Sequence, residues 1–437
     1  MSMFSRAMRS VAVLPSDVPA AERALHPAQV RRGLLLSIAE GMLAQVHITL
    51  TAGAFLTGYA LMLGAGNVTV GIVAALPFLI QPLQLLGAWL IERQGARKPL
   101  AVGGSLGRSL WLVLLVLPYL PLSTTQRLVA LVVTLTVANA LLTLCSNAWL
   151  NWMTDLVPPR LRGRYFGTRS SAMAAVAMAV NFGGGLWLDR MRAADRAVEG
   201  YAGIFTLAIL CGAVGSLLLS RQPEPPLVQS ARLPIREVVR RPLQHPSFRG
   251  FMIGLMVWHA ALGMAVPFFS AHALTVLQLP FQTLAMFDVI TAAVSIGTVG
   301  LWGQLADRVG HRRVLLTCIA GVILLPWCWV VATPTVLWPL YFNAVLSGIW
   351  WSGLNLALSN RLMEQVPAEG RGGYLAVYAA CTGLTFFLAS MLSGNLANAL
   401  SGVALEVSGL SLNNYQMIFV ISSILRLSTL LFWRKRL

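Results

Sequence analysis

The chain has 437 residues, 57% of them apolar and only 11% charged, with a mean hydropathy of +0.72. Soluble domains carry about 45–50% apolar and about 25% charged residues, so charge this sparse excludes a water-soluble enzyme, a disordered chain and a disulfide scaffold. The net charge of +17 comes almost wholly from arginine, Lys98 and Lys435 being the only lysines; it raises nucleic acid as a partner, and the placement of the arginines turns the reading to lipid.

A hydrocarbon core about 30 Å thick is crossed by helices of about 20 apolar residues, because lipid offers backbone groups no partner. In chain order the apolar runs predict twelve spans: 34–61, 68–91, 99–120, 127–152, 166–188, 201–220, 249–273, 281–304, 314–332, 335–361, 373–399 and 413–433. A polar, Arg-bearing tail, 1–33, precedes them, and the apolar run after it is too long for the core of a cleavable signal. A Pro-rich linker, 221–248, separates an N-terminal bundle, 34–220, from a C-terminal bundle, 249–433, and residues 434–437 form a second tail. Within the linker, Ile235–Leu243 reads equally as an amphipathic helix on the inner leaflet or as plain basic connection.

With the N-terminus inside, 26 of the 32 Lys and Arg fall in the seven inside segments or the span ends adjoining them and four (Arg127, Arg190, Arg192, Arg196) in or at the edge of the outside loops, while Arg108 and Arg426 lie deeper within spans. Positive charge gathers on the cytoplasmic side, so both termini are expected there and the chain in the inner membrane. Charge spread over seven segments offers nucleic acid no single basic face. The five cysteines, Cys145, Cys211, Cys318, Cys328 and Cys381, are solitary and without metal spacing, which makes them packing residues; neither metal nor cofactor is expected.

The inside loops repeat. Gly87-Ala-Trp-Leu-Ile-Glu92-Arg93-Gln-Gly95-Ala-Arg97-Lys98 after the second span aligns, at an offset of 215, with Gly303-Gln-Leu-Ala-Asp307-Arg308-Val-Gly310-His-Arg312-Arg313 after the eighth. Asn151 to Tyr165 after the fourth aligns, at an offset of 209, with Asn360 to Tyr374 after the tenth, bringing Asp155 onto Glu364, Arg162 onto Arg371 and Gly163 onto Gly372. Two matches in the same order indicate a duplicated six-helix unit. Gly-x-x-x-Asp-Arg-x-Gly-x-Arg-Arg after the second and eighth spans is the loop motif of the major facilitator superfamily, which the chain resembles over about 33–433. The C-terminal copy fits it; the N-terminal copy departs, with Glu92 for Asp, Ala96 for a basic residue and Gly87 one position early.

The resemblance implies an all-α membrane protein of twelve helices in two pseudo-symmetric six-helix bundles, functional as a monomer, which rock about a central cavity lined by helices one, four, seven and ten. The tight loops favour glycine with positive φ at Gly95 and Gly310. An acid is stabilised beside a helix N-terminus, and by the resemblance Glu92 faces the start of helix eleven near Arg371 and Asp307 the start of helix five near Arg162. Arg93 and Arg308 then pair with Asp155 and Glu364, and these residues together with Arg97 and Arg312 form a cytoplasmic latch made in one conformation and broken in the other. The alternative is that the arginines only set topology.

Ionisable groups inside a membrane are costly and mark function by default. Of 15 acids, Glu40 and Asp288 alone lie well inside spans. Glu40, His47 and Thr51 share one stripe of helix one. Asn139, Thr143, Asn147 and Asn151 do so on helix four, Asn343, Ser347, Trp351 and Asn355 on helix ten, and helix seven adds Trp258 and His259. Such stripes line a water-filled path or bond helix to helix; Trp350, Trp351 and Phe268 fit plain packing. Glu40 and Asp288, with His47 and His259, are the candidates for proton coupling, against a purely structural pairing of Glu40 with Arg31, Arg32 or Arg108. Arg108 holds an anionic solute or neutralises Glu40. Asn181-Phe-Gly183-Gly184-Gly185 lacks the proline of the motif seen in proton-driven drug exporters.

The expected function is secondary transport of a small organic solute across the cytoplasmic membrane, proton-coupled, with export favoured over uptake and with lipid as surroundings. No Gly-x-x-x-x-Gly-Lys-Ser/Thr loop is present, which argues against direct ATP drive. Two rivals are a lipid or amphiphile transporter whose cavity opens sideways to the bilayer, and an intramembrane acyltransferase using His47 or His259.

Overall fold

A computed structural model describes residues 25–94, 97–225, 235–367, 371–403, 405–407 and 410–436. Among them eleven helices are long and apolar enough to cross a membrane: Pro27–Met62, Asn67–Ile91, Lys98–Tyr119, Thr124–Leu156, Pro159–Ala193, Ala197–Ser220, Pro246–Thr275, Phe281–Val309, His311–Val331, Gly373–Ala399 and Asn414–Arg434. They match the first nine, the eleventh and the twelfth expected spans and are numbered accordingly below. The tenth span is present as the 28-residue helix Trp338–Gln365. It is long enough to cross, at about 1.5 Å per residue, but Asn343, Ser347, Asn355, Ser359 and Asn360 leave it less apolar than the others.

Local chemistry sets the irregularities. The first span breaks after Leu50, where Thr51 caps the helix by donating its hydroxyl to His47 O at 2.6 Å. The second breaks between Leu79 and Leu83 beside Pro77 and Pro82, since proline removes a donor and crowds the preceding turn. The third is helical over Lys98–Ser105, tightens to a 3-10 turn over Leu106–Leu110 and resumes over Trp111–Val116. Gly103, Gly104 and Gly107 weaken the α-helix there, and Arg108 rides on the tightened turn. The linker carries a helix, Ile235–Gln244, with Arg241 and Glu237 paired one turn apart. A hairpin, β1 (Leu405–Val407) and β2 (Leu410–Leu412), stands before the last helix; nothing in the sequence pattern announced it.

Two compact units divide the chain, and the linker is only one of their boundaries. Unit one takes the chain up to Ala52, Leu83–Pro121, and Val133 to the linker; unit two takes Gly53–Pro82, Leu122–Val132 and the chain from Arg232. The core of unit one gathers Leu34, Ile38, Trp152, Met153, Tyr165 and Leu219. That of unit two is built on Phe248, Leu255, Trp258, Val322, Phe386 and Trp433. The duplicated Tyr165 and Tyr374 are both buried, and Gly310 has the positive φ expected, +87°.

In unit two the second helix lies directly on the eleventh. Phe78 stacks on Phe386 at 3.9 Å between centroids, Ser390 Oγ donates to Gly71 O at 2.8 Å, and Tyr415 Oη donates to Asn67 Oδ1 at 2.6 Å. A Cβ on Gly383 would stand 2.2 Å from Phe78 O, and one on Gly394 2.8 Å from Val68 Cα. Small residues bring helix backbones this close in membranes, and that approach assigns Gly53–Pro82 to the second unit.

Candidate functional site

Unit one holds a cavity of about 370 Å³ among its first, third, fourth and fifth helices, lined by Glu40, His47, Arg108, Asn139, Thr143 and Trp149, with Arg169, Ser146 and apolar Ile48, Leu142 and Met173 completing the wall. Its centre is an ion triad. Arg108 Nη2 donates to Glu40 Oε1 at 2.8 Å, and Arg169 Nη2 to Glu40 Oε2 at 3.4 Å. Glu40 is 3% exposed and Arg108 7%. Arg169 also donates from Nε to Ser37 O at 3.3 Å and lies 4.1 Å over the Trp149 ring, a cation–π contact. Glycines leave room for both guanidiniums: a Cβ on Gly41 would meet the Arg169 head at 2.6–2.8 Å, and one on Gly215 would meet Arg108 Nη1 at 2.9 Å. His47, 1% exposed, bonds through Nδ1 to Ala208 O at 3.2 Å; the carbonyl accepts, so Nδ1 donates.

Unit two holds a second cavity, of about 300 Å³, lined by Asp288, Thr291, Asn343, Ser347, Trp351 and Arg426 together with Phe269, Phe287 and Trp329. Arg426, 2% exposed on the twelfth helix, donates from Nη1 to Val322 O at 3.0 Å. Asn343 donates to Leu325 O at 3.4 Å and accepts from Ser347 Oγ at 3.1 Å.

Known proteins place this architecture. A model of the Major Facilitator Superfamily matches residues 277–437. The chain also superposes on solved structures: a point-mutant form of the nucleoside transporter NupG (TM-score 0.70, 13% identity, 92% of this chain and 99% of that one), a D-xylose–proton symporter (0.67, 15%, 93% and 96%), and a bacterial homolog of the human lysosomal transporter Spinster in an inward-facing, occupied conformation (0.62, 15%, 93% and 96%). The chain has the Major Facilitator Superfamily fold. The family match falls on the part of the chain whose loop copy, Gly303 to Arg313, fits the family's motif. No curated protein matches the chain. The facilitator fold and its apolar helices make this a multi-pass integral membrane protein.

Within the facilitator fold, the expected latch residues divide. Gly95 lies outside the described residues, as do the side chains of Glu92, Arg93 and Arg371. Asp155 is held by Arg97, whose side chain is fully buried. Arg97 Nη2 also donates to Pro225 O at 2.7 Å and Nη1 to Asn151 O at 3.3 Å, while Trp152 Nε1 donates to Pro223 O at 2.9 Å, so the start of the linker is fastened to the end of the fourth helix. Glu364 pairs with Arg361, one turn before it, at 2.5 Å, whereas Asp307, Arg308 and Arg312 are exposed. Arg162 donates to Thr154 O at 2.6 Å and caps the fourth helix, where a cation complements the helix dipole.

Of the stripes, Glu40, His47, Asn139 and Thr143 share the first cavity, and Asp288, Asn343 and Trp351 share the second. Thr51 is spent on capping, outside the first cavity's lining. Asn147 lies against Gly87 and gives its carbonyl to Asn151 Nδ2 at 2.9 Å. Trp258 packs in the core, 6.1 Å from Trp351 between ring centroids; His259 bonds its own helix at Leu255 O at 2.8 Å; Asn355 is exposed. Sequence reasoning missed Arg169 and Arg426. Arg169 falls within the span 166–188 and Arg426 within 413–433, and an arginine inside a span was the available signal. Glu40 meets Arg108 as one reading had it, with Arg169 as its second partner.

Proposed function

We propose that this chain is a secondary transporter that carries a small organic solute across the cytoplasmic membrane by alternating access, with the solute held in the cavity of unit one. The observation that carries the reading is the Glu40–Arg108–Arg169 triad opening onto a cavity of about 370 Å³ inside membrane-spanning helices. Charge so placed is costly and persists where it serves a solute or ion path; pockets of this size suit small ligands. Solute carriers among the similar folds, for nucleosides and for D-xylose with protons, support the same reading.

Proton coupling is assigned to Asp288. It is an acid within a span that lines the second cavity together with buried Arg426. The proposed exchange is an outgoing solute for an incoming proton. The loops that carry Glu92, Arg93, Asp307 and Arg308, with Asp155 and Glu364, are proposed as the cytoplasmic latch on the duplicated motif and on the burial of Arg97.

Solute counterflow in proteoliposomes tests the reading. Purified protein is expected to exchange labelled for unlabelled solute without ATP, to run faster with an acid exterior, and to lose that acceleration in Asp288→Asn while keeping counterflow. Absence of counterflow across a broad solute panel discards the transport reading; an Asp288→Asn variant as pH-driven as the parent discards the coupling residue alone.

A further inference from the structure

The transport reading leaves open what the first cavity selects, and its charge supplies an answer. We propose that the cavity of unit one binds an organic monoanion, a carboxylate carried on a small apolar or aromatic body.

The first argument is a charge count. Arg108, Arg169 and Glu40 are the Lys, Arg, Asp and Glu side chains that line the cavity, so its formal charge is +1. Glu40 satisfies one positive charge and leaves the second without a counterion inside the span. An uncompensated charge so deep is among the costliest features a membrane protein can carry, and a ligand with one negative charge removes it. A cation deepens the imbalance, a neutral sugar leaves it in place, and a dianion reverses it.

The second argument is hydrogen-bond accounting, which does not depend on the charge count. Three buried atoms on side chains that line the cavity have no hydrogen-bond partner among the described residues: the donors Arg108 Nη1 and Trp149 Nε1, and His47 Nε2, an acceptor because Nδ1 carries the proton. Arginine and indole nitrogens donate only, and a buried donor left unpaired is costly, so unmet donors outnumber unmet acceptors around the cavity by two to one. A carboxylate brings two acceptor oxygens and no donor, and arginine's planar fork matches it geometrically. Arg108 reaches the cavity from the 3-10 turn Leu106–Leu110, a segment less rigidly bonded than an α-helix, so its guanidinium can turn from Gly215 toward a ligand while Nη2 keeps Glu40.

The remaining wall defines the body of the anion. Ile48, Leu142 and Met173 are apolar, and Asn139, Thr143 and Ser146 offer neutral polar groups. About 370 Å³ lies at the small end of ligand pockets, which favours a single ring or a short branched chain over a lipid.

The test compares benzoate with benzamide and benzylamine, three molecules of one shape and different charge, on the purified full chain at fixed ionic strength near pH 7. Benzoate is expected to raise the unfolding midpoint and to bind at least about ten-fold more tightly than benzamide, with benzylamine weakest. Arg169→Gln takes the triad to zero and is expected to lose about ten-fold of benzoate affinity or more. Glu40→Gln takes it to +2 and is expected to keep or increase that affinity, an asymmetry that a purely structural ion triad lacks, since it loses both alike. Arg108→Lys keeps the charge and guards against a variant that simply fails to fold; it is expected to retain the preference for benzoate over benzamide. Equal binding of benzamide or benzylamine, no binding by any of the three, or a benzoate affinity indifferent to Arg169→Gln overturns the proposal. Counterflow of a neutral solute with no benzoate preference leaves transport standing and removes the anion; benzoate binding without counterflow of any solute does the reverse.

Discussion

Arg97 and Arg312 hold the same place in the two copies of the loop motif and live in different surroundings. Arg97 is fully buried and holds Asp155, Asn151 O and Pro225 O, while Arg312 is exposed and reaches Arg434 O at 3.3 Å. Removing a buried charge strands its partners, at a cost of about 3 kcal/mol; exposed substitutions usually stay within about 0.5 kcal/mol. Arg97→Met is therefore expected to lower the unfolding midpoint sharply and Arg312→Met hardly at all, and equal effects would show that the motif, rather than burial, sets the cost. The sequence made Glu40, Arg108 and Asp288 visible because an ionisable residue inside an apolar run needs a reason. It did not show that Arg169 shares the triad: an arginine three residues past a span boundary looks like a topology signal until its rotamer and the space left by Gly41 are known.

Helices are legible from apolar runs, and the chain's spans form where those runs lie. Their partners are less so. Gly71, Gly383 and Gly394 announce close packing without naming the face they meet, and only the structure shows the second helix on the eleventh. Gly383→Ala places a methyl within 2.2 Å of Phe78 O, a backbone atom that has no rotamer to escape into. Overpacking of this kind costs about 1–3 kcal/mol. By contrast Gly297 and Gly300 of the eighth helix face open space, and alanine there is expected to be neutral within about 0.5 kcal/mol. Unfolding of the three single variants in detergent checks both statements, and a harmless Gly383→Ala would mean that the two helices separate at little cost. The 3-10 turn that carries Arg108 was likewise hidden, since three glycines weaken a helix without saying which way it will tighten.

For the whole molecule, the alternation of arginine-rich and arginine-poor connections sets an orientation that labelling can read. A membrane-impermeant maleimide is expected to modify Ala194→Cys in intact cells and Arg313→Cys only after permeabilisation, the native cysteines being buried or half-buried; the opposite pattern inverts the proposed topology. Overall architecture was legible because repetition and charge alternation are properties of the entire string. The contact units were not, because they depend on which helices touch. One consequence concerns how the chain is built. The tenth helix, with its asparagines and serines, is a poor substrate for insertion by itself, yet the eighth meets it with a ladder of donors: Thr291 to Ala344 O, Ser295 to Gly348 O and Trp302 to Ile349 O, at 2.8–3.1 Å. Entering the bilayer is then expected to be a joint event, with the hydroxyls and indole of the eighth helix receiving the later, wetter segment as a chaperone encoded in the same polypeptide.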